Sequence, residues 1–265
     1  MLASTEVDVS RCGLRLSSGL EMSSRLRRAG RRVVPLPIRR TLGGAFYRVR
    51  VRMSRRLEPL LGRLPFLATR NLVYNDRYYT DADERQSELY GVFAEALVRL
   101  RAPVSVVDVG CGSGLMLAKL AKHGVRVLGV DGSRAAFRRA RISVPVVRAN
   151  LEHGVPELGR FDMCLCIEVA EHLRAKSGPG LVHGLTRLSD TIVFTAASPG
   201  QGGTAHLNER PYSYWRSLFA EEGFTQSGLR DQLLEAIAGI DEPRYIHTNV
   251  MVFERKPGCA GSEAA

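Results

Sequence analysis

Short apolar runs and amphipathic segments alternate along the chain from residue 104 onward. In the amphipathic segments, apolar residues recur three and four positions apart. This pattern predicts strands near 105–110, 125–130, 145–149, 161–167 and 191–197, and helices near 113–123, 133–141, 177–188 and 211–222. Because strands that are buried on both faces read as continuous apolar runs, the alternation predicts a parallel sheet covered by helices on both sides.

The segments on either side of this alternation have patterns of their own. Residues 84–101 carry apolar side chains on one side and stop before Pro103, which predicts an amphipathic helix. Near the C-terminus, Phe224–Arg230 and Thr248–Glu254 predict the strands of a final hairpin, with a helix over Asp231–Ile240 between them. The chain has no apolar run of about 18 residues, as a membrane span requires. Its five cysteines show no disulfide or zinc spacing, and this is typical of a cytoplasmic protein.

Positive charge is concentrated at the N-terminus. Residues 1–70 hold sixteen arginines, no lysine and four acidic residues, a net charge of +12, whereas residues 71–265 carry 22 basic and 23 acidic residues. Together the patterns divide the chain into an Arg-rich extension (1–70), a cap or lid of helices (71–103), a main domain (104–256) and a tail (257–265). A basic surface that seeks an anionic partner is therefore expected on the extension and not on the main domain.

Within the extension, residues 1–40 show little periodicity and are expected to be mostly disordered. Residues 42–64 predict a basic amphipathic helix, because apolar residues recur at helical spacing and arginines take the other faces. Three interpretations of this helix stay open. It could make a peripheral contact with an anionic membrane surface, or dock on the main domain as part of a substrate lid. It could also belong to a targeting peptide or to a start codon assigned too early.

A glycine-rich turn follows the first predicted strand. Gly110, Gly112 and Gly114 stand at alternate positions between an apolar run and a helical segment. Glycine has no Cβ atom, so the backbone can turn sharply there and approach a ligand at the carboxyl end of the strand. Asp108 precedes the turn and would repel a pyrophosphate, but it suits a cationic ligand.

The next strand ends supply further polar groups. Asp131 follows the second strand, seventeen residues after Gly114, where a carboxylate can accept both hydroxyls of a ribose. Asn150 follows the third strand, and its side-chain oxygen can accept a hydrogen bond from the amino group of an adenine.

The Asp108-x-Gly110-x-Gly112-x-Gly114 motif, followed by Asp131, resembles the first signature of class I S-adenosylmethionine-dependent methyltransferases. This resemblance implies an α/β fold with a doubly wound, mostly parallel, seven-stranded Rossmann-like sheet and a reversed C-terminal strand. It also implies S-adenosyl-L-methionine as the cofactor. The residues expected to bind it are Asp108, Gly110, Cys111, Gly112, Gly114, Asp131, Gly132, Asn150, Leu151 and Glu168. Asn150 stands where the family usually has Asp.

Glu168-x-x-Glu171-His172 follows the fourth predicted strand, at the rim of the expected cofactor pocket. One helical turn would bring the three side chains to one face, where they could hold Mg²⁺ or another divalent ion. Alternatively, His172 could be a general base oriented by a glutamate. The pattern is similar to that of ubiquinone-pathway O-methyltransferases and small-RNA 3′-terminal 2′-O-methyltransferases, where it is associated with a divalent ion. Many class I enzymes carry similar residues without a metal, and there Glu168 would contact the amino end of the cofactor. A structural role also stays open.

His206 is the second candidate for chemistry. It lies in a glycine-rich loop, residues 198–211, after the fifth strand, similar to a bacterial group in which a Gly-x-x-His-x-Asn-Glu loop precedes a Tyr-Trp helix. It could complete a metal site with Glu168, Glu171 and His172, or act as the base. It could also only order the loop, through Asn208 or Glu209. Nearer the N-terminus, Tyr78 or Tyr79 could lie against the sulfonium, although packing at the domain edge would explain both.

These features favour a small-molecule O-methyltransferase acting on a sugar, a polyketide, a phenol or a lipid-linked intermediate. The near-neutral main domain supports this, because a nucleic-acid enzyme needs basic residues around its acceptor site. An RNA ribose 2′-O-methyltransferase that grips phosphates with the basic extension is the alternative. A non-catalytic cofactor-binding adaptor is a third possibility, which the intact Asp108 and Asp131 disfavour.

Overall fold

The computed structural model describes residues 74–203, 205–240 and 244–258. The Arg-rich extension, its predicted helix at 42–64 and most of the tail lie outside the described residues. Seven strands form one sheet: β1 (Ser105–Val109), β2 (Arg126–Asp131), β3 (Val146–Arg148), β4 (Met163–Cys166), β5 (Thr191–Phe194), β6 (Phe224–Gln226) and β7 (Met251–Arg255). The helices are α1 (Asp76–Arg101), α2 (Leu115–Ala121), α3 (Arg134–Ala140), α4 (Gly178–Leu188), α5 (Tyr212–Glu221), α6 (Leu229–Ala236) and α7 (Arg244–Asn249). Short 3₁₀ turns cover Leu151–His153, Ala170–His172 and Ala175–Ser177.

The strand order is β3-β2-β1-β4-β5-β7-β6. Strands β1 to β5 run parallel, whereas β7 is antiparallel to both β5 and β6. The predicted sheet, with its reversed C-terminal strand, is therefore confirmed. The chain proceeds from β1 outward to β2 and β3, and then crosses back to β4 on the other side. In sheets of this type, such a reversal opens a crevice at the carboxyl ends of the two central strands, here β1 and β4.

Apolar side chains fill both faces of the sheet. One layer packs α1, α2 and α6 against the strands, with Phe93 and Leu97 of α1 buried in it. The opposite layer packs α4 and α5, and its aromatic centre is the fully buried Trp215 and Phe219 of α5, the latter stacked on Phe253 of β7. Strands covered on both faces must be apolar at nearly every position, which explains the continuous runs in the sequence.

Several element boundaries differ from the sequence-based prediction, most of all the start of α1. Helix α1 begins at Asp76 and not at residue 84, because Asn75 caps it: the side-chain oxygen accepts a hydrogen bond from the Tyr78 amide at 3.1 Å. The final hairpin is shorter than predicted. Helix α7 occupies residues 244–249, so the last strand begins at Met251 and not at Thr248.

In the described part of the chain, every helix is too short or too polar to span a bilayer.

Candidate active site

The loop after β1 is shaped by positive backbone dihedrals that favour glycine. Gly110 and Gly112 have φ angles of +87° and +56°. The amides of Gly110 and Cys111 both donate to the Val130 carbonyl of β2, at 2.7 and 3.1 Å. A Cβ atom on Gly110 would lie 2.2 Å from a methyl carbon of Val169, in the segment after β4. The loops that follow the two central strands can therefore approach this closely only with glycine at position 110.

Gly114 has a different role from the other two glycines. It precedes α2 with a φ angle of +79°, and a Cβ atom there would lie 2.9 Å from Val144 and 3.2 Å from the Cβ atom of Ala140. It does not line the cavity at this edge of the sheet, although Gly110 and Gly112 do. The sequence predicted that Gly114 contacts the cofactor. In the structure, close packing against α3 and the residues after it accounts for the glycine at this position.

A cavity opens at the carboxyl ends of β1, β2, β3 and β4. It is lined by most of the residues expected to bind a cofactor, namely Asp108, Gly110, Cys111, Gly112, Asp131, Gly132, Asn150, Leu151 and Glu168. Helix α1 forms the facing wall, and its lining side chains include Tyr78, Tyr79, Asp83, Gln86 and Tyr90. His172 also lines the cavity, and His206 lies behind it with the two imidazole ring centroids 4.9 Å apart.

Asp131, at the end of β2, connects two backbone segments of the cavity. One carboxylate oxygen accepts the Gly112 amide at 3.0 Å, and the other accepts the Ser133 amide at 2.7 Å. The acid therefore links the glycine loop to the turn that begins α3. Asn150 makes a similar local bond, since its side-chain oxygen accepts the Glu152 amide at 3.3 Å. That oxygen keeps a second lone pair.

Asp108 is buried in the cavity wall with 4% of its surface exposed. Burial, together with the nearby Asp131 carboxylate, raises the pKa of the Asp108 carboxyl to about 8. Two acids thus share a region of low dielectric, and a cationic ligand would relieve their mutual repulsion.

Three tyrosines form an aromatic wall. The rings of Tyr74 and Tyr79 each make an edge contact with the ring of Tyr78, with centroids 5.0 and 5.2 Å apart. Tyr79 also packs on the glycine loop, where a Cβ atom on Gly112 would lie 3.3 Å from its ring. Tyr78 and Tyr79 therefore both line the cavity. Each can pack against its neighbours and still contact a ligand.

Glu168 leaves β4 in an unusual backbone conformation, with φ at +55°. Its amide donates to the Thr195 hydroxyl at 2.7 Å, and its carboxylate accepts from Nδ2 of Asn249 at 3.2 Å. A non-glycine residue in the left-handed region costs of order 1 kcal/mol or more, and such strain clusters at functional sites. Hydrogen bonds to Thr195, just after β5, and to Asn249 of α7 hold the conformation here.

Glu171 is fully buried, and neither of its carboxylate oxygens meets hydrogen-bond geometry with a donor among the described residues. Burial first, and then the Glu168 carboxylate, raise the pKa of Glu171 well above its ordinary value. Its backbone carbonyl accepts the amides of Leu207 and Asn208 at 2.7 and 3.0 Å. This pair of bonds holds the loop after β5 against the turn after β4.

The two histidines are held through the same ring nitrogen. Nδ1 of His172 lies 2.9 Å from the Tyr74 hydroxyl and 3.3 Å from the carbonyl oxygen of Ala205. Nδ1 of His206 lies 3.0 Å from the Glu209 carboxylate. Because a carboxylate oxygen only accepts, the Glu209 contact places a proton on Nδ1 of His206. Nδ1 of His172 faces a carbonyl oxygen, which only accepts, and a hydroxyl, which donates or accepts.

Ligand atoms of Glu171, His172 and His206 all lie within 4.8 Å of one another. Glu168 is not in that group, although a single helical turn was expected to bring it to the same face. The turn is a 3₁₀ turn over residues 170–172, and Glu168 precedes it with a positive φ angle and bonds to Asn249. The tertiary structure therefore assembles three of the four expected metal-ligand candidates.

Several residues of the site were not singled out from sequence. Tyr74, Gln86 and Tyr90 reach the cavity from α1 or its approach, and Asn249 reaches Glu168 from α7. Helical spacing would have placed Gln86 and Tyr90 on one face of α1, had the helix been recognised as a wall of the site. No local pattern singles out Asn249, which falls within the strand that was predicted over Thr248–Glu254.

Comparison with known proteins agrees with this architecture. The family model described as a methyltransferase domain matches residues 106–189. The ubiquinone biosynthesis O-methyltransferase of Alkalilimnicola ehrlichii is 31% identical over 132 residues, which cover 46% of this chain and 49% of that protein. The protein of the same name from Coxiella burnetii is 36% identical over 75 residues, which cover 26% of this chain and 32% of that protein. The chain thus spans about half, or less, of these curated relatives.

Among solved structures, magnesium protoporphyrin IX methyltransferase from Synechocystis PCC 6803 with bound SAH is similar in fold, with a TM-score of 0.52 and 18% identity over 67% of this chain and 86% of that chain. The same protein with bound SAM gives a TM-score of 0.50 at 18% identity, over 67% of this chain and 83% of that chain. The strand order, the glycine loop and the methyltransferase domain matched over residues 106–189 are similar to those of class I S-adenosylmethionine-dependent methyltransferases.

Proposed function

We propose that this protein transfers a methyl group from S-adenosyl-L-methionine to a hydroxyl group of a small molecule. The observation that carries the proposal is one continuous cavity. It joins the glycine loop and the acids of β1 and β2 to the His172 imidazole after β4. A donor bound beside the glycine loop would point its methyl group toward His172. The O-methyltransferase relatives from Alkalilimnicola and Coxiella support a hydroxyl acceptor.

At the donor end, the chemistry of the lining suits a cationic nucleoside. Asp131 would accept the ribose hydroxyls, while Asn150 and Leu151 would border the adenine. A cation would favour ionisation of Asp108, close to Gly110 and Gly112, which have no side chains to obstruct the ligand. The Tyr78 and Tyr79 rings would face the sulfonium, and a cation against an aromatic face gains roughly 1–2 kcal/mol when desolvated.

At the acceptor end, the residues present fit a divalent ion. Glu171 offers two buried oxygens that lack donors among the described residues, and a cation would compensate this buried carboxylate. His172 and His206 each add an imidazole nitrogen within reach of the same point. Nδ1 of His206 is bonded to the Glu209 carboxylate, as is usual for metal-binding histidines, so Nε2 is the nitrogen that it would offer. One carboxylate and two imidazoles suit Mn²⁺, Fe²⁺ or Zn²⁺ at least as well as Mg²⁺. A bound ion would lower the pKa of the acceptor hydroxyl.

The protein's own groups have two tasks in the transfer. The cavity must align the hydroxyl oxygen with the methyl carbon for an in-line displacement, which requires positioning rather than covalent catalysis. The proton of the hydroxyl must also leave, and the imidazole of His172 or His206 can receive it. Methylation of RNA would depend on the basic extension, which lies outside the described residues, and it stays a sequence-based prediction, as does membrane contact.

Transfer itself can be tested with the full chain and S-adenosylmethionine carrying a radioactive methyl group. The label should enter a small-molecule extract in an alkali-stable ether linkage, and Glu171→Gln should reduce the rate at least tenfold because it neutralises the buried carboxylate. Total RNA serves as the competing acceptor. Label that enters only RNA would replace the small-molecule proposal, and binding of the cofactor without any transfer would favour the adaptor.

Replacing Asp131 by Ala should weaken binding of S-adenosylmethionine about 10- to 100-fold in calorimetry, since charge-assisted hydrogen bonds contribute roughly 1.5–3 kcal/mol. Asp162→Ala is the matched control. The Asp162 carboxylate also accepts two backbone amides, from Val104 and Ser105 at 2.7 and 2.8 Å, but at the opposite end of β1. The control should lower stability and leave affinity unchanged. Equal affinities for Asp131→Ala and the wild type would show that the ribose site is misassigned.

Asp108 should make the stability of the cofactor-free protein depend on pH. The folded state keeps this proton up to a pKa of about 8, whereas an unfolded Asp releases it near pH 4. The unfolding free energy should therefore fall between pH 4 and 8, by up to about 1.4 kcal/mol per pH unit from this group. Asp108→Asn should remove that slope and weaken cofactor binding. Parallel urea-denaturation profiles for both proteins over this range would contradict the assignment.

Metal binding can be measured on its own by titrating Mn²⁺ into chelator-treated protein and following the free ion by electron paramagnetic resonance. Wild-type protein should bind one ion, and Glu171→Gln should lose at least tenfold in affinity. Glu157→Gln is the control, because this acid pairs with Arg187 on the surface, at 2.8 Å. If wild-type protein and Glu171→Gln bind Mn²⁺ equally, the three residues do not form a metal site.

A further inference from the structure

Glu209 makes more polar contacts than an ordinary loop acid. Its carboxylate lies 3.0 Å from Nδ1 of His206 and accepts the amides of Gly200 and Gly202, each at 2.8 Å. The side chains of His206 and Glu209 are only 12% and 21% exposed. Three donors thus converge on one carboxylate, and they fold the loop after β5 around it.

The imidazole of His206 is also confined by Gly203. A Cβ atom on this glycine would lie 2.1 Å from Nε2 and 2.3 Å from Cε1, closer than any side chain could tolerate. The ring therefore occupies space that only glycine leaves available. Glu209 and Gly203 together restrict both the position and the rotation of the ring.

The loop is fastened to the rest of the site by its backbone. Leu207 and Asn208 donate their amides to the Glu171 carbonyl, and the Asn208 side chain donates to the Ala170 carbonyl at 3.4 Å. The position of His206 relative to Glu171 is consequently fixed through two independent sets of contacts. One set holds the main chain, and the other, centred on Glu209, holds the ring.

We infer that Glu209 is a positioning residue that keeps the proton of His206 on Nδ1, and so presents Nε2 as the nitrogen that meets a divalent ion or an acceptor hydroxyl. The inference rests on the proposed function for what Nε2 meets, but the position of the proton is a property of the protein alone. Without this partner, a neutral imidazole would exchange the proton between its two nitrogens. In one of the two tautomers the lone pair would be on Nδ1 and would face the loop.

The closest matched pair elsewhere in the described structure is His183 with Glu222, at 3.1 Å on the surface. It has the same two side-chain types and the same Nδ1 contact, but it is remote from the cavity. Replacing Glu222 therefore reproduces the loss of a histidine–carboxylate bond without touching the site.

The test uses the full chain with ¹⁵N-labelled histidine and no added ligand. Nuclear magnetic resonance should show His206 protonated on Nδ1 in the wild type. Glu209→Leu should shift it toward a mixture of tautomers, and Glu209→Gln should partly restore the wild-type state, because the amide oxygen still accepts. Glu222→Leu should leave the His206 signals unchanged. Wild-type His206 protonated on Nε2, or unchanged signals in a folded Glu209→Leu protein, would overturn the inference.

A second measurement separates this inference from the metal proposal. In the Mn²⁺ titration, Glu209→Leu should lower affinity about 10- to 100-fold, the range typical of lost partners of metal-bound histidines, and Glu209→Gln should lose less. If the wild type shows the expected tautomer but binds no Mn²⁺, the metal proposal fails and the positioning role stands with His206 as a base. Equal Mn²⁺ affinity in Glu209→Leu and a metal-binding wild type would overturn the positioning role.

Discussion

The close approach of the loops after β1 and β4 is the constraint on which the site depends. Gly110 and Val169 fit together only because position 110 has no Cβ atom. That contact brings the acids of the first two strands next to the segment that carries Glu171 and His172. Strand order makes the approach possible, since β1 and β4 are neighbours at the reversal of the sheet. A larger residue at 110 would separate the two halves of the cavity.

Buried carboxyl groups are the second organising feature. Asp108 and Glu171 are both held in low dielectric with raised pKa values, at the two ends of one site. An uncompensated buried carboxylate costs free energy, and proteins tolerate that cost chiefly where a ligand repays it. A cationic donor at one end and a divalent ion or a proton at the other would do so. The cavity is thus less stable without its ligands than with them, as expected of a binding site that is preorganised for positive charge.

The glycine-rich loop after β5 is held in place by hydrogen bonds, and it positions His206. Its many glycines suggest flexibility, yet Glu209 accepts two of their amides and Glu171 accepts two more from the residues beyond His206. Each glycine either donates to a carboxylate or makes room for the imidazole. The histidine is therefore held by its surroundings although it lies in a loop and not in a regular strand or helix.

Sequence alone predicted the sheet and most of the residues along one end of the cavity. The apolar runs specify strands because parallel strands are buried on both faces, and the glycine motif specifies the turn because its dihedrals exclude other residues. Polar residues such as Asp131 and Asn150 follow from the strand ends, since parallel strands finish at one edge. All of these signals are local, so one pass along the chain detects them.

Only the tertiary structure decided the remainder. Helix α1 forms a wall of the cavity and Asn249 reaches Glu168, because packing brings together segments that are up to 160 residues apart in sequence, as in the bond between Gln86 and Tyr245. Glu168 separates from the Glu171–His172–His206 group because a 3₁₀ turn replaces the expected helical one. Nδ1 of His172 likewise meets partners from other segments, namely Tyr74 and Ala205. Such contacts are long-range, and no periodicity or spacing in the sequence encodes them.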